Sequence, residues 1–197
     1  MLAALACGVA SAAASAETWT YWIQPCTSAL AAESGCEPAD SALGGWALQA
    51  WQRASNGTLR MLPAAEERNA RLRIYWASGR MHLYGETRPL EVDGQRGAAI
   101  YVLPDLAGLG GNIAEAGKND KLFRDSIVYL TCLHESGHAL GLPHTADFAD
   151  IMYTFQFGGD IVEYFARYRR ALTRRTDIAS TSGISPHDRQ ALTAAIR

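Results

Sequence analysis

The sequence predicts an α+β fold in one domain, with a mixed β-sheet built from the first half of the chain and helices from the second. Three observations carry this. Short β-branched and aromatic segments cluster before residue 104, helical periodicities follow residue 120, and 197 residues with 48% hydrophobic composition suffice for one core. That composition excludes a wholly disordered chain, and a net charge of −2 gives no footprint of a nucleic-acid binder. No apolar run approaches the ~20 residues of a membrane span, and no repeat or heptad is present.

Residues 18–24 (TWTYWIQ) read as the first strand. Cys26 and Cys36 flank a polar loop ahead of the first helix; in an exported protein they are expected to form a disulfide, and in a reducing compartment two thiols. That helix starts at Pro38-Ala39-Asp40-Ser41 and stops near Asn56-Gly57. Residues 59–62 form a short strand, and residues 70–77 alternate with Leu72, Ile74 and Trp76 on one face. Residues 81–84 are a further candidate strand. Residues 98–103 (AAIYVL) are the clearest late strand, ended by Pro104-Asp105, and the Gly-rich stretch 105–120 reads as a loop. Residues 121–140 form the longest helix, with Ile127, Leu130 and Leu133 in an apolar stripe and Cys132 as a buried thiol; Gly141 and Pro143 end it. A second amphipathic helix covers 160–172 through Ile161, Tyr164, Phe165, Tyr168 and Leu172. A last one opens with Ser185 as N-cap and Pro186 at its first position.

Residues 1–16 are small, apolar and uncharged, and Ala14-Ser15-Ala16 has the form of a signal-peptidase site. A signal peptide is expected here, with Glu17 as the first mature residue and a secreted or periplasmic product. The missing basic n-region is what a start placed too far downstream would give. The competing readings are an Ala-rich terminus and, less favoured because few residues precede it, a lipid anchor at Cys7.

The chemistry concentrates in His134-Glu135-Ser136-Gly137-His138-Ala139-Leu140-Gly141-Leu142-Pro143-His144, which holds three of the five histidines. His134 and His138 project from one helix face a turn apart, a spacing that suits two ligands of one tetrahedral zinc. The third ligand must come from another direction. Gly141 lets the helix end in a left-handed conformation and swing His144 back. Three neutral ligands leave a position for water, and Glu135 beside the first ligand is placed to act as general base for amide hydrolysis.

This segment resembles the H-E-x-x-H-x-x-G-x-x-H signature of the metzincin zinc peptidases. Asp147 lies three residues after the third histidine, and Ile151-Met152-Tyr153 looks like the Met-turn, whose thioether lies under the zinc without binding it. The Asp and Met spacings are most similar to the matrixin branch. Astacin-like and serralysin-like members place a Tyr ligand two after the Met, where Thr154 stands here. The resemblance implies a metzincin-like catalytic domain over residues 17–197: a twisted mixed sheet with an antiparallel edge strand, an active-site helix and a C-terminal helix. It implies one catalytic Zn2+ held by His134, His138 and His144, with Gly141, Asp147 and Met152 supporting the site. It also implies that strand 98–103, through Ala99, Ile100 and Tyr101, is the sheet edge that pairs with an extended substrate. Tyr153, Thr154 and Phe155 would wall the pocket for the side chain following the cut.

Three features depart from the pattern. No Pro-Arg-Cys-Gly cysteine-switch peptide is present, and Cys26 in WIQPCTS does not match it. The structural zinc site of animal matrixins has no counterpart, His82 being the one upstream histidine. Segment 155–183 is a helical insertion longer than a plain wall, with a basic run of Arg167, Arg169, Arg170, Arg174 and Arg175. The run reads first as a solvated helix face and second as a cleft border favouring acidic substrates or an anionic surface. Asp93 and Asp105 read as turn acids, with Ca2+ as the alternative. The leading expectation is an exported, monomeric zinc endopeptidase acting on a peptide or protein, with no nucleic-acid partner and no transmembrane anchor. The competing classes are a latent or inactive zinc-binding interaction module and a zinc hydrolase of cell-wall peptides.

Overall fold

β-branched and aromatic residues at alternate positions give the computed structural model, which describes residues 16–79 and 84–196, its central sheet. Strands β1 (Glu17–Ile23), β2 (Leu59–Pro63), β3 (Leu72–Trp76), β4 (Gly85–Val92) and β5 (Gln95–Val102) lie in the order β2-β1-β3-β5-β4. All neighbours run parallel except β4, which pairs antiparallel with β5 from Gly85↔Val102 to Val92↔Gln95 and forms one edge. The expected strand at 81–84 and His82 fall outside the described residues, except for Tyr84.

Six helices complete the described residues: α1 (Ser28–Ser34), α2 (Asp40–Ala54), α3 (Gly111–Asn119), α4 (Lys121–Ala139), α5 (Ile161–Arg169) and α6 (Pro186–Ala195). Helices α2 and α4 cover one sheet face. Leu72, Ile74, Ile100 and Val102 from the sheet meet Leu43, Leu48, Trp51, Ile127 and Leu133 in one core. Trp51 adds a hydrogen bond from Nε1 to the Leu133 carbonyl at 2.9 Å, tying α2 to α4. On the opposite face Trp22, Tyr75 and Tyr101 line up across three strands, with Trp22 tilted against Tyr75 and Tyr75 stacked on Tyr101. In the described residues no helix is long and apolar enough to cross a membrane.

Several expectations are corrected. The loop between Cys26 and Cys36 is the two-turn helix α1, capped by the Thr27 side chain and ended by Gly35 at φ 69°; the two cysteines are disulfide-bonded around it. The stretch 105–120 is not a loop. It holds a 3-10 turn, Leu106–Leu109, capped by Asp105, and then α3, which anchors through Ile113. The strand at 98–103 is not the sheet edge. Strand β5 lies between β3 and β4 with its backbone paired on both sides, so Ala99, Ile100 and Tyr101 cannot pair with a substrate. Asp93 and Gly94, at φ 50° and 73°, form the two-residue hairpin joining β4 to β5. Asp93 and Asp105 thus serve as turn and cap.

A buried ionic chain joins α1, α2 and α4. The Arg124 guanidinium holds both oxygens of Asp40, which is 0% exposed, at 2.5 and 2.8 Å, and donates to the Gly35 carbonyl. Asp125, at 2% exposed, takes Arg175 Nε at 2.9 Å. Removing one partner of such a pair leaves a desolvated charge without compensation. Arg124→Ala is expected to lower unfolding free energy by about 3 kcal/mol in urea titration, with most of the loss recovered by adding Asp40→Asn. Equal stabilities for wild type and Arg124→Ala would show the carboxylate is satisfied without its partner.

Candidate metal centre

The end of α4 sets the geometry of the three histidines. Gly141 takes φ 99°, its N–H reaches the His138 carbonyl at 2.9 Å, and the Leu142 N–H reaches the Gly137 carbonyl at 3.0 Å. This paired closure is the Schellman ending that favours glycine at that position. It turns the Leu142 carbonyl back toward the helix, where it accepts from His138 Nδ1 at 2.9 Å. His134 Nδ1 donates likewise to the Ile151 carbonyl at 2.7 Å. Both Nδ1 protons are therefore fixed by acceptors that cannot donate, which leaves the Nε2 lone pairs of His134 and His138 bare.

Those two Nε2 atoms face His144 Nε2 at 3.3 and 3.0 Å. Ligands ~2.05 Å from a tetrahedral ion stand ~3.3 Å apart, so the spacing is that of a tetrahedron's edges. One proton on His144 Nε2 could satisfy only one of these two contacts, whereas a cation among the nitrogens satisfies both, and three imidazoles suit zinc. The ligand atoms of His134, His138 and His144 all lie within 4.8 Å of one another. Burial, ahead of the repulsion between the imidazolium charges, lowers the His134 pKa to about 4 and lowers that of His138. Both stay neutral where a ligand must be neutral.

Beneath the histidines, Met152 is buried against α4. A Cβ at Gly137 would lie 2.4 Å from the Met152 sulfur, so this helix position is glycine because the Met side chain fills the space. The segment Asp150–Met152 is anchored from α6. Asp188 accepts from Ile151 N at 2.8 Å and Ser185 N at 2.9 Å through Oδ2, and from Met152 N at 3.4 Å through Oδ1. Asp150 accepts from Ser185 Oγ at 2.7 Å and meets His187 Nδ1 at 2.6 Å. Both carboxylates are 1% exposed. Asp147 is exposed, and its side chain caps the turn by accepting from Ala149 N at 2.8 Å.

Glu135 follows His134 and points under β4, where Thr87 Oγ1 lies 2.7 Å from its Oε2. Burial raises its pKa to about 7, against the opposing pull of the Thr87 hydrogen bond. A pocket of ≈ 250 Å³ opens beside it, lined by Tyr84, Leu130, Tyr153, Phe155, Tyr164 and Phe165 among others. Tyr153, Thr154 and Phe155 line this pocket, and Ala99, Ile100 and Tyr101 do not. Residues missed by sequence reasoning are Thr87, Asp150, His187 and Asp188, all of them polar residues brought in from other elements.

The matrixin family model matches residues 14–160. The chain is also 35% identical over 72 residues to an interstitial collagenase of Oryctolagus cuniculus and, to the same extent, to one of Sus scrofa. The matched part is 35% of this chain and 15% of either collagenase. The chain belongs to the matrixin family. Within this matrixin, the family match ends one residue before α5. That helix nevertheless builds the pocket through Ile161, Tyr164 and Phe165. Tyr164 Oη donates to the Asp150 and Ile151 carbonyls at 2.9 and 3.3 Å, the second being the acceptor that orients His134.

The arginines of α5 and the turn after it are occupied internally. Arg167 donates to the Phe148 carbonyl and lies 4.3 Å over the Tyr164 ring. Arg169 pairs with Asp120, Arg170 with Glu163, Arg174 with Asp177 and Arg175 with Asp125. The last four are each paired with a carboxylate, and none of the five lines the pocket.

The Asp150–His187 pair makes stability depend on pH in a defined window. The hydrogen bond that His187 donates to Asp150 raises the His187 pKa above its ordinary 6.5, so that stabilisation is complete below 6.5 and lost as pH rises through the raised value. Burial opposes the Asp150 charge, but the hydrogen bonds from Ser185 and His187 outweigh it and put its pKa below 3.8. Its contribution is present above 3.8 and lost as pH falls through the lowered value. The stability difference between wild type and His187→Ala, followed by urea titration from about pH 3 to about pH 9, should peak between those two values. A difference constant across the range would show that the pair carries no charge interaction.

Proposed function

We propose that this matrixin is an exported zinc-dependent endopeptidase in which His134, His138 and His144 hold the metal and Glu135 is the general base. The observation that carries the reading is the convergence of three histidine nitrogens, with His144 Nε2 3.3 and 3.0 Å from those of His134 and His138, beside a buried carboxylate in a cleft bordered by a sheet edge. When bound, zinc supplies a Lewis acid for the scissile carbonyl and lowers the pKa of water toward ~7. The protein's residues do the rest. Glu135 takes a proton from the attacking water and returns it to the leaving amine, a role favoured by a pKa raised to about 7. The Ile151 and Leu142 carbonyls keep two imidazoles in the ligand tautomer.

Substrate pairing moves from the strand expected by sequence to β4. This is the antiparallel edge nearest Glu135, and an extended peptide can add to it through main-chain hydrogen bonds. The pocket walled by Tyr153, Thr154 and Phe155 is mostly apolar and aromatic, which favours a sizeable apolar side chain directly after the cut. Residues 17–197 form one peptidase domain in this reading, and segment 155–183 is a helical insertion that walls the pocket. The Cys26–Cys36 disulfide fits an oxidising compartment and so supports export, secreted or periplasmic, after removal of residues 1–16.

A mixed peptide library tests this directly. Residues 17–197 loaded with about one zinc per chain should cut before large apolar residues. Glu135→Ala should keep its zinc and lose at least ~10²-fold in kcat/KM. Equal cutting by Glu135→Ala would remove the base from the mechanism. A zinc-loaded wild type that cuts no peptide would favour an interaction module, and cutting confined to cell-wall peptides would move the reading to that substrate class.

A further inference from the structure

Strand β4 lays two residues over Glu135 that the histidine motif does not specify. Gly85 and Thr87 are two apart on a strand and share the face turned toward α4. Thr87 Oγ1 is 2.7 Å from Glu135 Oε2 and 2.8 Å from the Glu135 main-chain carbonyl. A carbonyl and an ionised carboxylate only accept, so the hydroxyl is the donor to this residue. At Gly85 a Cβ would lie 2.5 Å from Oε1, 2.6 Å from Cγ and 2.8 Å from Cδ of Glu135. The carboxylate therefore fills the space that any larger residue at 85 would need. Among the described residues Oε1 accepts no hydrogen bond, in contrast to Oε2.

From this geometry we infer that Gly85 and Thr87 are positioning residues for the general base: Thr87 holds Oε2, Gly85 opens the slot, and Oε1 is left as the proton-accepting oxygen. The inference rests on Glu135 acting as base, as proposed above. A base works only within about 2.6–3.2 Å of the proton it takes, and a misplacement of ~1 Å can lower turnover ~10²-fold. Neither residue belongs to α4. Placing both on the edge strand means that the element proposed to align the substrate backbone also sets the base against it. One strand then fixes both reactants.

The alternative is a structural tie, in which Thr87 merely fastens β4 to α4 through the Glu135 carbonyl. The two separate in the kinetics. Wild type, Thr87→Val, Thr87→Ser, Gly85→Ala and Glu135→Ala would be compared on one peptide, with zinc content and thermal midpoint measured for each. Thr87→Val should lower kcat ~10-fold with KM within ~2-fold, zinc and midpoint holding, and Thr87→Ser should restore kcat to within ~3-fold because the hydroxyl is what matters. The three atoms nearest a Cβ at residue 85 all belong to the flexible Glu135 side chain, so Gly85→Ala should fold and bind zinc yet lose kcat ~10²-fold. A Thr87→Val loss that follows its midpoint or zinc content and is not restored by serine would overturn the inference. Should Thr87→Val not fold, wild-type kcat in folded, zinc-loaded Gly85→Ala overturns it instead. Wild-type cutting that vanishes in Glu135→Ala but persists in both β4 variants sinks this inference alone, whereas cutting unaffected by Glu135→Ala sinks the base assignment and this inference together.

Discussion

One carboxylate holds the site together from a distance. Asp188 is 1% exposed, opens α6, and accepts the N–H groups of Ile151, Met152 and Ser185. Three acceptances by one buried charge are stronger than the same bonds made by neutral groups. Their effect reaches two residues further, because fixing the Ile151 peptide fixes its carbonyl, and that carbonyl orients His134. The same carboxylate completes the capping box of α6 with Ser185. A helix start, the Met-turn and a candidate metal ligand thus share one anchor, some 50 residues downstream of the ligand. An amide there would keep the shape but present a donor face where only acceptors fit.

What the sequence made legible follows from the range of the interactions involved. The histidine triad was readable because helical spacing and a glycine-forced ending are local: every residue that sets them lies within His134–His144. Helix α6 was readable for the same reason, through Ser185 and Pro186. The edge of the sheet was read incorrectly, although its signals were present. Strand β4 carries Pro89, Arg88 and Glu91, which suit an edge, and Asp93-Gly94 is a strong hairpin signal. The near-continuous apolar run of β5 suits a strand covered on both sides. Helix α3 escaped because glycines at 110, 111 and 117 lower its propensity, and packing through Ile113 overrides them. Thr87, Asp150 and Asp188 were invisible as site residues, since what they do depends on which distant element faces them.

The basic run after the Met-turn shows how composition and location differ. Five arginines within nine residues suggest a positive surface, yet each has a carboxylate or carbonyl partner within the protein. The exposed pairs contribute little singly. Arg167 acts differently, because its guanidinium lies over the Tyr164 ring while bonding to Phe148, and so joins α5 to the turn after His144. The run therefore fastens α5 onto the Met-turn rather than addressing solvent.

That fastening explains how a helix beyond the family match can govern the site. Helix α5 contributes Tyr164, whose ring lines the pocket and whose hydroxyl reaches the Asp150 and Ile151 carbonyls. The Ile151 carbonyl consequently receives two donors, an imidazole and a phenol, on its two lone pairs. A side chain entering the pocket touches Tyr164 directly. Any shift of that ring acts on the carbonyl that holds His134, and Arg167, stacked on the other part of the same residue, resists the shift. Ligand geometry and pocket shape are therefore mechanically one unit. The histidine motif supplies the candidate ligands, and the chain outside it supplies their stiffness, in the way that supporting hydrogen bonds set ligand orientation at metal sites generally.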